Sequence, residues 1–250
     1  MRLLELFESS GGDKHLSFCF GRMNPPTKGH KQLLDKVASQ GGDYLIFPSR
    51  PTPKTKAKKL ENPLPTEEKI HFLKLMFPEY ATEIVDEPNL NTFLSVCEYI
   101  YKKGYNHITI VAGSDKLDEL VNLCKTYNGV EGKSHGYYKF ETIDKVSSGA
   151  RDPDSEGIEG ISATKAREAA AKGNIEEFEK TTGAGSHTEA LYKAVRKGLG
   201  IKDSVEEHIV KVKGGYELKS KKTGKNLGKY PTRAGAEKRE RQVQYFKHAG

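Results

Sequence analysis

Thr27-Lys28-Gly29-His30 sets a hydroxyl and an imidazole one helical turn apart. Leu16 to Phe20 reads as a buried strand leading into them through Gly21 and Arg22, and Leu33, Leu34, Val37 and Ala38 mark one face of a helix leading out. A glycine–arginine loop between strand and helix turns backbone N–H groups toward whatever sits above the helix N-terminus, a position that favours phosphate. Much later in the chain, Ser162 is placed to cap an alanine-rich helix running to Ala171 and closed at Gly173. The cap accounts for Ser162 but not for Thr164, Lys165 and Arg167. A helix favours acids in its first turn, so bases set against the dipole suit a bound anion. The chemistry expected of both stretches is phosphate binding with charge stabilisation. Taken alone, Thr-x-Gly-His is equally an ordinary β–α turn carrying a surface histidine.

Together the two stretches resemble the signatures of the nucleotidylyltransferase superfamily. Gly21-Arg22-x-Asn24-Pro25-Pro26-Thr27-x-Gly29-His30 looks like the first, (H/T)-x-G-H after the first strand of a Rossmann-like sheet, and Ile161-Ser162-Ala163-Thr164-Lys165-Ala166-Arg167 looks like the second, I-S-x-T-x-x-R. Thr27 stands where many members have histidine; phosphopantetheine adenylyltransferases also have threonine there. The resemblance covers roughly residues 14 to 180. It implies an α/β Rossmann-like parallel sheet and transfer of a nucleoside monophosphate from NTP to a phosphate-bearing acceptor, with pyrophosphate leaving and Mg²⁺ as cofactor. It assigns catalysis to His30, Thr27, Lys165 and Arg167, nucleotide binding to Gly21, Arg22, Asn24, Gly29, Ser162 and Thr164, and substrate binding to the turn Gly113-Ser114-Asp115. No protein residue is assigned to metal. ATP is expected as donor ahead of CTP, and nicotinamide mononucleotide is the first acceptor expected.

The elements that must position these residues follow in order. Asp43 to Phe47 reads as a second strand, leaving into the basic loop Ser49 to Lys59, which holds Arg50, Lys54, Lys56, Lys58 and Lys59 and lies where open α/β sheets bind ligands. A helix from about Thr66, carrying Ile70, Leu73, Met76 and Phe77, ends at Pro78. Thr82 to Val85 is expected as a short strand. Leu90, Phe93, Leu94, Cys97, Ile100 and Tyr101 form a helical core stripe, His107 to Ala112 is the clearest strand, and Tyr137 to Ile143 reads as another. His107 at the far end of its strand reads as structural. Helices are expected around Ile175–Lys180 and Thr188–Lys197.

The chain of 250 residues has room for one domain of roughly residues 13–200 and an appendage. No apolar run approaches the roughly 18 residues of a membrane span, and Met1 to Ser10 is short and acidic for a secretory signal. A cytoplasmic location is expected, with Cys19, Cys97 and Cys124 as reduced core thiols. There is no C-x-x-C or H-E-x-x-H, so no zinc site is expected. Glu131-Gly132-Lys133-Ser134 is not a P-loop, since Tyr127 stands where the first glycine belongs. Net charge is +7, and residues 205–250 hold 12 Lys+Arg against 5 Asp+Glu, so the whole excess lies there. Strand-like Ile209–Lys213, Tyr216–Ser220 and Asn226–Tyr230 precede a helix from Thr232 to about Lys247, anchored by Val243 and Phe246. This basic module resembles lysine-rich C-terminal segments of tailed-phage proteins. Weak, charge-driven contact with nucleic acid or an acidic protein surface is expected of it.

Residues 1–12 read as a flexible N-terminal peptide, in which the short amphipathic pattern Met1 to Glu8 is a fraying helix cut off from the core by the linker Ser9-Ser10-Gly11-Gly12. Leu6-Phe7-Glu8 also resembles the Leu/Ile-x-Glu processing site of targeting peptides in internal head proteins of T4-like bacteriophages. That resemblance implies head-protein partners and packaging in a virion. Two other functions stand beside the enzyme: a non-catalytic nucleotide-binding component of a phage particle, and a nucleic-acid-binding protein acting through the basic module.

Overall fold

The computed structural model describes residues 13–51, 60–149, 162–201, 207–220 and 225–248. The expected N-terminal peptide, Lys54 to Lys59 of the basic loop, the turn-rich segment before Ser162, and the Lys221–Gly224 turn lie outside the described residues. So do the side chains of Val243 and Phe246.

Strands β1 (His15–Gly21), β2 (Asp43–Pro48), β3 (His107–Ala112) and β4 (Thr142–Ser147) form a parallel sheet in the order β2-β1-β3-β4. The register pairs Phe18 with Leu45 on one side and with Ile110 on the other. Helices α1 (Lys28–Ala38) and α2 (Thr66–Met76) bury Leu33, Leu34, Val37, Ile70 and Leu73 against Cys19, Ile46 and Val111 on one face. Helices α3 (Phe93–Lys102) and α4 (Ser114–Tyr127) cover the other face, where Val96, Ile100, Leu117 and Val121 meet Leu16, Phe18, Ile108 and Ile110. Central strands covered on both faces read as continuous apolar runs, which is why β1 and β3 were legible. The expected Rossmann-like α/β parallel sheet is the one observed.

Chain order reverses between β1 and β3, and doubly wound sheets open a crevice outside the carboxyl ends of the strands at such a switch point. Helices α5 (Ala163–Lys172), α6 (Ile175–Thr182) and α7 (Thr188–Gly198) pack a third cluster, with Ala166, Ala170, Phe178 and Leu191 against Leu64 and Phe72. Helix α5 begins at an Ser162 cap whose hydroxyl accepts from the Lys165 N–H at 3.2 Å, and it ends at Gly173 with φ +79°.

Two strand assignments are corrected. Thr82 to Val85 is not a strand: Ile84 makes a single bridge to Ile46, and the preceding residues are taken up in turns after the short 3₁₀ helix Pro78–Tyr80. The strand expected at Tyr137–Ile143 begins at Thr142. Tyr138 and Phe140 are buried in the core instead, and Asn128 satisfies the Phe140 N–H and carbonyl through its side-chain amide. β4 is an edge strand in which only Ile143 and Val146 are half-buried and the rest are exposed, which leaves a weak apolar signal. The stripe residue Leu90 also falls before α3, which starts after the Thr92 cap.

A separate compact unit spans residues 200–250. Its antiparallel strands β5 (Glu207–Val212), β6 (Gly215–Ser220) and β7 (Asn226–Tyr230) pack with helix α8 (Arg233–His248), burying Leu218 and Ala236. Among the described residues no helix is long and apolar enough to cross a membrane.

Candidate active site

A cavity of about 630 Å³ opens at the switch point between β1 and β3. Phe20 and Gly21 end one strand in its wall, Ala112 and Gly113 end the other, and Thr27, Gly29 and His30 enter from the start of α1. Ser162, Ala163, Thr164 and Arg167 close it from α5. The two sequence stretches singled out above therefore meet around one space.

His30 is 8% exposed, and its orientation is fixed from behind. The Thr27 backbone N–H donates to Nδ1 at 3.0 Å, and Thr27 Oγ1 lies 2.9 Å from the same nitrogen. A backbone N–H can only donate, so Nδ1 is held as an acceptor and the neutral ring carries its proton on Nε2. Thr27 sits at φ −145°, outside the helix, which lets the ring of His30 fold back onto the cap. Its hydroxyl is thus an orienting group for the imidazole.

Arg167 reaches back across the fold. Its Nη1 donates to the Asn24 carbonyl at 2.8 Å and its Nη2 to Thr164 Oγ1 at 3.0 Å. Burial, then repulsion from Arg22, pulls this guanidinium below the usual arginine range. Asn24 is itself a strut: its amide donates to the Leu64 carbonyl at 2.9 Å and accepts from the Leu64 N–H at 3.1 Å. The loop carrying it contains Met23, buried at φ +49°, a conformation that bulky residues rarely adopt and that concentrates at functional sites. An Asn24–Pro25 cis peptide follows.

The cavity wall carries Arg22, Lys116 and Arg167 together with the carboxylates of Glu61 and Asp115. Arg22 pairs with Glu61 at 2.7 Å, an exposed ion pair worth at most about 1 kcal/mol and so easily exchanged for an anion. Lys69 is 2% exposed and donates to the Ser49 carbonyl. Burial, then Arg50 and Arg22, pushes its ammonium down to about 8. Arg50 pairs with Asp86.

Three of the expected site residues do not line the cavity. Asn24 does not line the cavity; it braces the loop and offers its carbonyl to Arg167. Lys165, next to Thr164 on α5, is not among the residues that line the cavity. Ser114 is also off the wall and donates its N–H to the Gly149 carbonyl, while Gly113 and Asp115 do line it. Residues that sequence reasoning missed include Met23, Glu61, Lys116 and Leu120. Lys116 and Leu120 follow from the helix that starts at Ser114, where positions one turn apart share a face. Glu61 carried no signal in its spacing.

The crevice at the switch point of the parallel sheet is thus lined by His30 from the start of α1 and by Arg167 from α5. Residues 18–169 match the model of the cytidylyltransferase-like family, and the chain belongs to that family. Among solved structures it is similar to the Plasmodium falciparum nicotinic acid mononucleotide adenylyltransferase complexed with APC, at 13% identity over 74% of this chain and 95% of that one, with a TM-score of 0.48. It is also similar to a bifunctional NMN adenylyltransferase/ADP ribose pyrophosphatase from Francisella tularensis, at 15% identity over 81% of this chain and 62% of that one, with a TM-score of 0.43. No curated protein matches it as a sequence relative.

Proposed function

We propose that the protein transfers a nucleoside monophosphate from NTP to a phosphate-bearing acceptor. The observation that carries this reading is that His30 and Arg167 line one cavity, the first behind a Thr27 contact that leaves a proton on Nε2. An acceptor phosphate oxygen attacks the α-phosphorus, a new P–O bond forms, and the bond to the β-phosphate oxygen breaks as pyrophosphate leaves. The nucleophile is already an anion, so no general base is needed, and catalysis reduces to positioning and charge stabilisation.

In this reading Nε2–H of His30 donates to a non-bridging oxygen of the α-phosphate. Arg167, with the free N–H groups at the start of α5, neutralises charge on the leaving phosphates. Thr27 holds the imidazole in register, and Arg22 exchanges Glu61 for substrate phosphate. Asp115 and Glu61 are the carboxylates on the wall, and Glu61 is paired to Arg22. That donor set is too small for an all-protein cage but fits Mg²⁺, which favours substrate phosphates, waters and one or two carboxylates. Asp115 would be its protein contact, and the ion would supply charge neutralisation of the polyphosphate.

ATP as donor and nicotinamide mononucleotide as acceptor are the first pair to test, on the form of the two signatures. The experiment is a pyrophosphate-release screen of ATP and CTP against a panel of phosphorylated acceptors. Release that depends on one acceptor and on His30 supports the reading. Binding of NTP with no release under any acceptor overturns it.

A further inference from the structure

At the opposite edge of the parallel sheet, the amino ends of β1, β3 and β4 bring together Asp13, His107 and Glu141. One ligand-capable atom from each lies within 4.8 Å of the others. His107 stands roughly 16 Å from the cavity, five residues back along β3 at the usual strand rise. It is paired in register with Thr142, and its Nδ1 lies 2.9 Å from Thr142 Oγ1. That contact sets the ring and points Nε2 between the two carboxylates. Nε2 is sealed from solvent and makes no hydrogen bond.

The distances suit a shared cation. Nε2 is 3.4 Å from Asp13 Oδ1 and 3.8 Å from Glu141 Oε2. A protonated imidazole would close on a carboxylate to about 2.8 Å. Ligand atoms held about 2.1 Å from a shared tetrahedral ion are separated by about 3.4 Å, close to what is observed. The outer contacts are also built. The Asn106 amide donates to Glu141 Oε1 at 3.0 Å, leaving Oε2 toward His107, and the Asn106 carbonyl receives the Glu141 N–H at 2.8 Å. Asn106 Oδ1 accepts from the Lys14 N–H at 3.0 Å, tying the strand that follows Asp13 to the same residue. Metal-bound histidines and carboxylates are oriented by such partners. Asp13 is 86% and Glu141 65% exposed in their side chains, which gives an ion a path in and leaves its other positions to water.

We propose that Asp13, His107 and Glu141 form a divalent transition-metal site that clamps the amino ends of β1, β3 and β4, independent of the catalytic cavity. An imidazole with two carboxylates selects Zn²⁺ or Mn²⁺ over Ca²⁺ and Mg²⁺, which take oxygen ligands. The site is structural: its ligands are separated by most of the domain's sequence, so an ion holding them stabilises the folded chain by mass action.

The test uses the full chain, stripped with a chelator, and measures Zn²⁺ binding by calorimetry and the midpoint of thermal unfolding. One Zn²⁺ per chain and a raised midpoint are expected, with millimolar Mg²⁺ or Ca²⁺ unable to reproduce the rise. Asp13→Asn, at an exposed position that cannot disturb the core, should remove both effects. Thr142→Val should weaken binding at least about tenfold by freeing the ring of His107. His107→Gln gives the same loss if it folds. Overturning results are no Zn²⁺-dependent rise, or a rise that survives intact in Asp13→Asn.

Discussion

The Thr27 backbone N–H donates to Nδ1 of His30 at 3.0 Å, so the loop that ends β1 dictates which nitrogen of the imidazole faces the cavity. His30→Ala should lower turnover about 10²–10³-fold, the scale of losing one oriented donor to a developing phosphate charge. Thr27→Val keeps the backbone donor and should cost no more than about tenfold, the worth of one hydrogen bond. Steady-state kinetics of the two variants check this. Equal losses would mean that the Thr27 hydroxyl touches substrate itself.

Arg167 is held at two points, by the Asn24 carbonyl and by Thr164 Oγ1. Arg167→Lys cannot span both, because an ammonium lacks the planar fork. It should raise KM for NTP by about tenfold or more, with stability little changed. Nucleotide titration of the folded variant measures it. Unchanged affinity would remove Arg167 from the phosphate site.

Asn24 satisfies both main-chain groups of buried Leu64. Asn24→Ala leaves them unpaired and should cost roughly 2 kcal/mol or more in urea unfolding. Its main-chain carbonyl persists, so substrate affinity should fall only through loosening of the loop. A variant of native stability would contradict the strut.

Lys69 is buried without a paired carboxylate among the described residues, and its ammonium is pushed down to about 8 from 10.5. Between those values the unfolded chain keeps a proton that the folded chain has released. Stability therefore rises with pH through that window, and the cost of the buried charge is fully present below pH 8. Lys69→Met should be stabilising near neutral pH by an amount on the order of 3 kcal/mol, less the loss of a partner for the Ser49 carbonyl. The gain should shrink toward pH 10. A gain independent of pH would show that packing, not charge, is responsible.

Removing residues 200–250 takes away a compact unit together with the chain's excess positive charge. Turnover should persist, since both signature stretches lie in the other unit. Binding to single-stranded nucleic acid in the full chain should be weak and should collapse between about 50 and 200 mM salt, as phosphate contacts do. The shortened chain should not bind. A folded, inactive truncation would tie the unit to catalysis.

The sequence by itself determined the central strands, the helices that cover them and the two stretches, Thr27–His30 and Ser162–Arg167, that meet at the cavity. Each of these is written in local periodicity or in a short run of neighbours: Leu16–Phe20 and His107–Ala112 are buried on both faces, and Thr27 and His30 are one turn apart. The edge strand Thr142–Ser147 escaped because its environment, not its composition, makes it a strand. Tyr138 and Phe140 looked like the strand because they are apolar, yet they fill the core beside Asn128. Only the tertiary structure turned Asn24 into a strut, set Lys165 off the wall, and brought Glu61 and Lys116 onto it. It also gathered Asp13, His107 and Glu141, which no motif spacing joins, at one edge of the sheet. The reason is the parallel crossover. Each connection carries the chain across the full length of the sheet before the next strand pairs, so residues that share a strand end are far apart in sequence and leave no local trace.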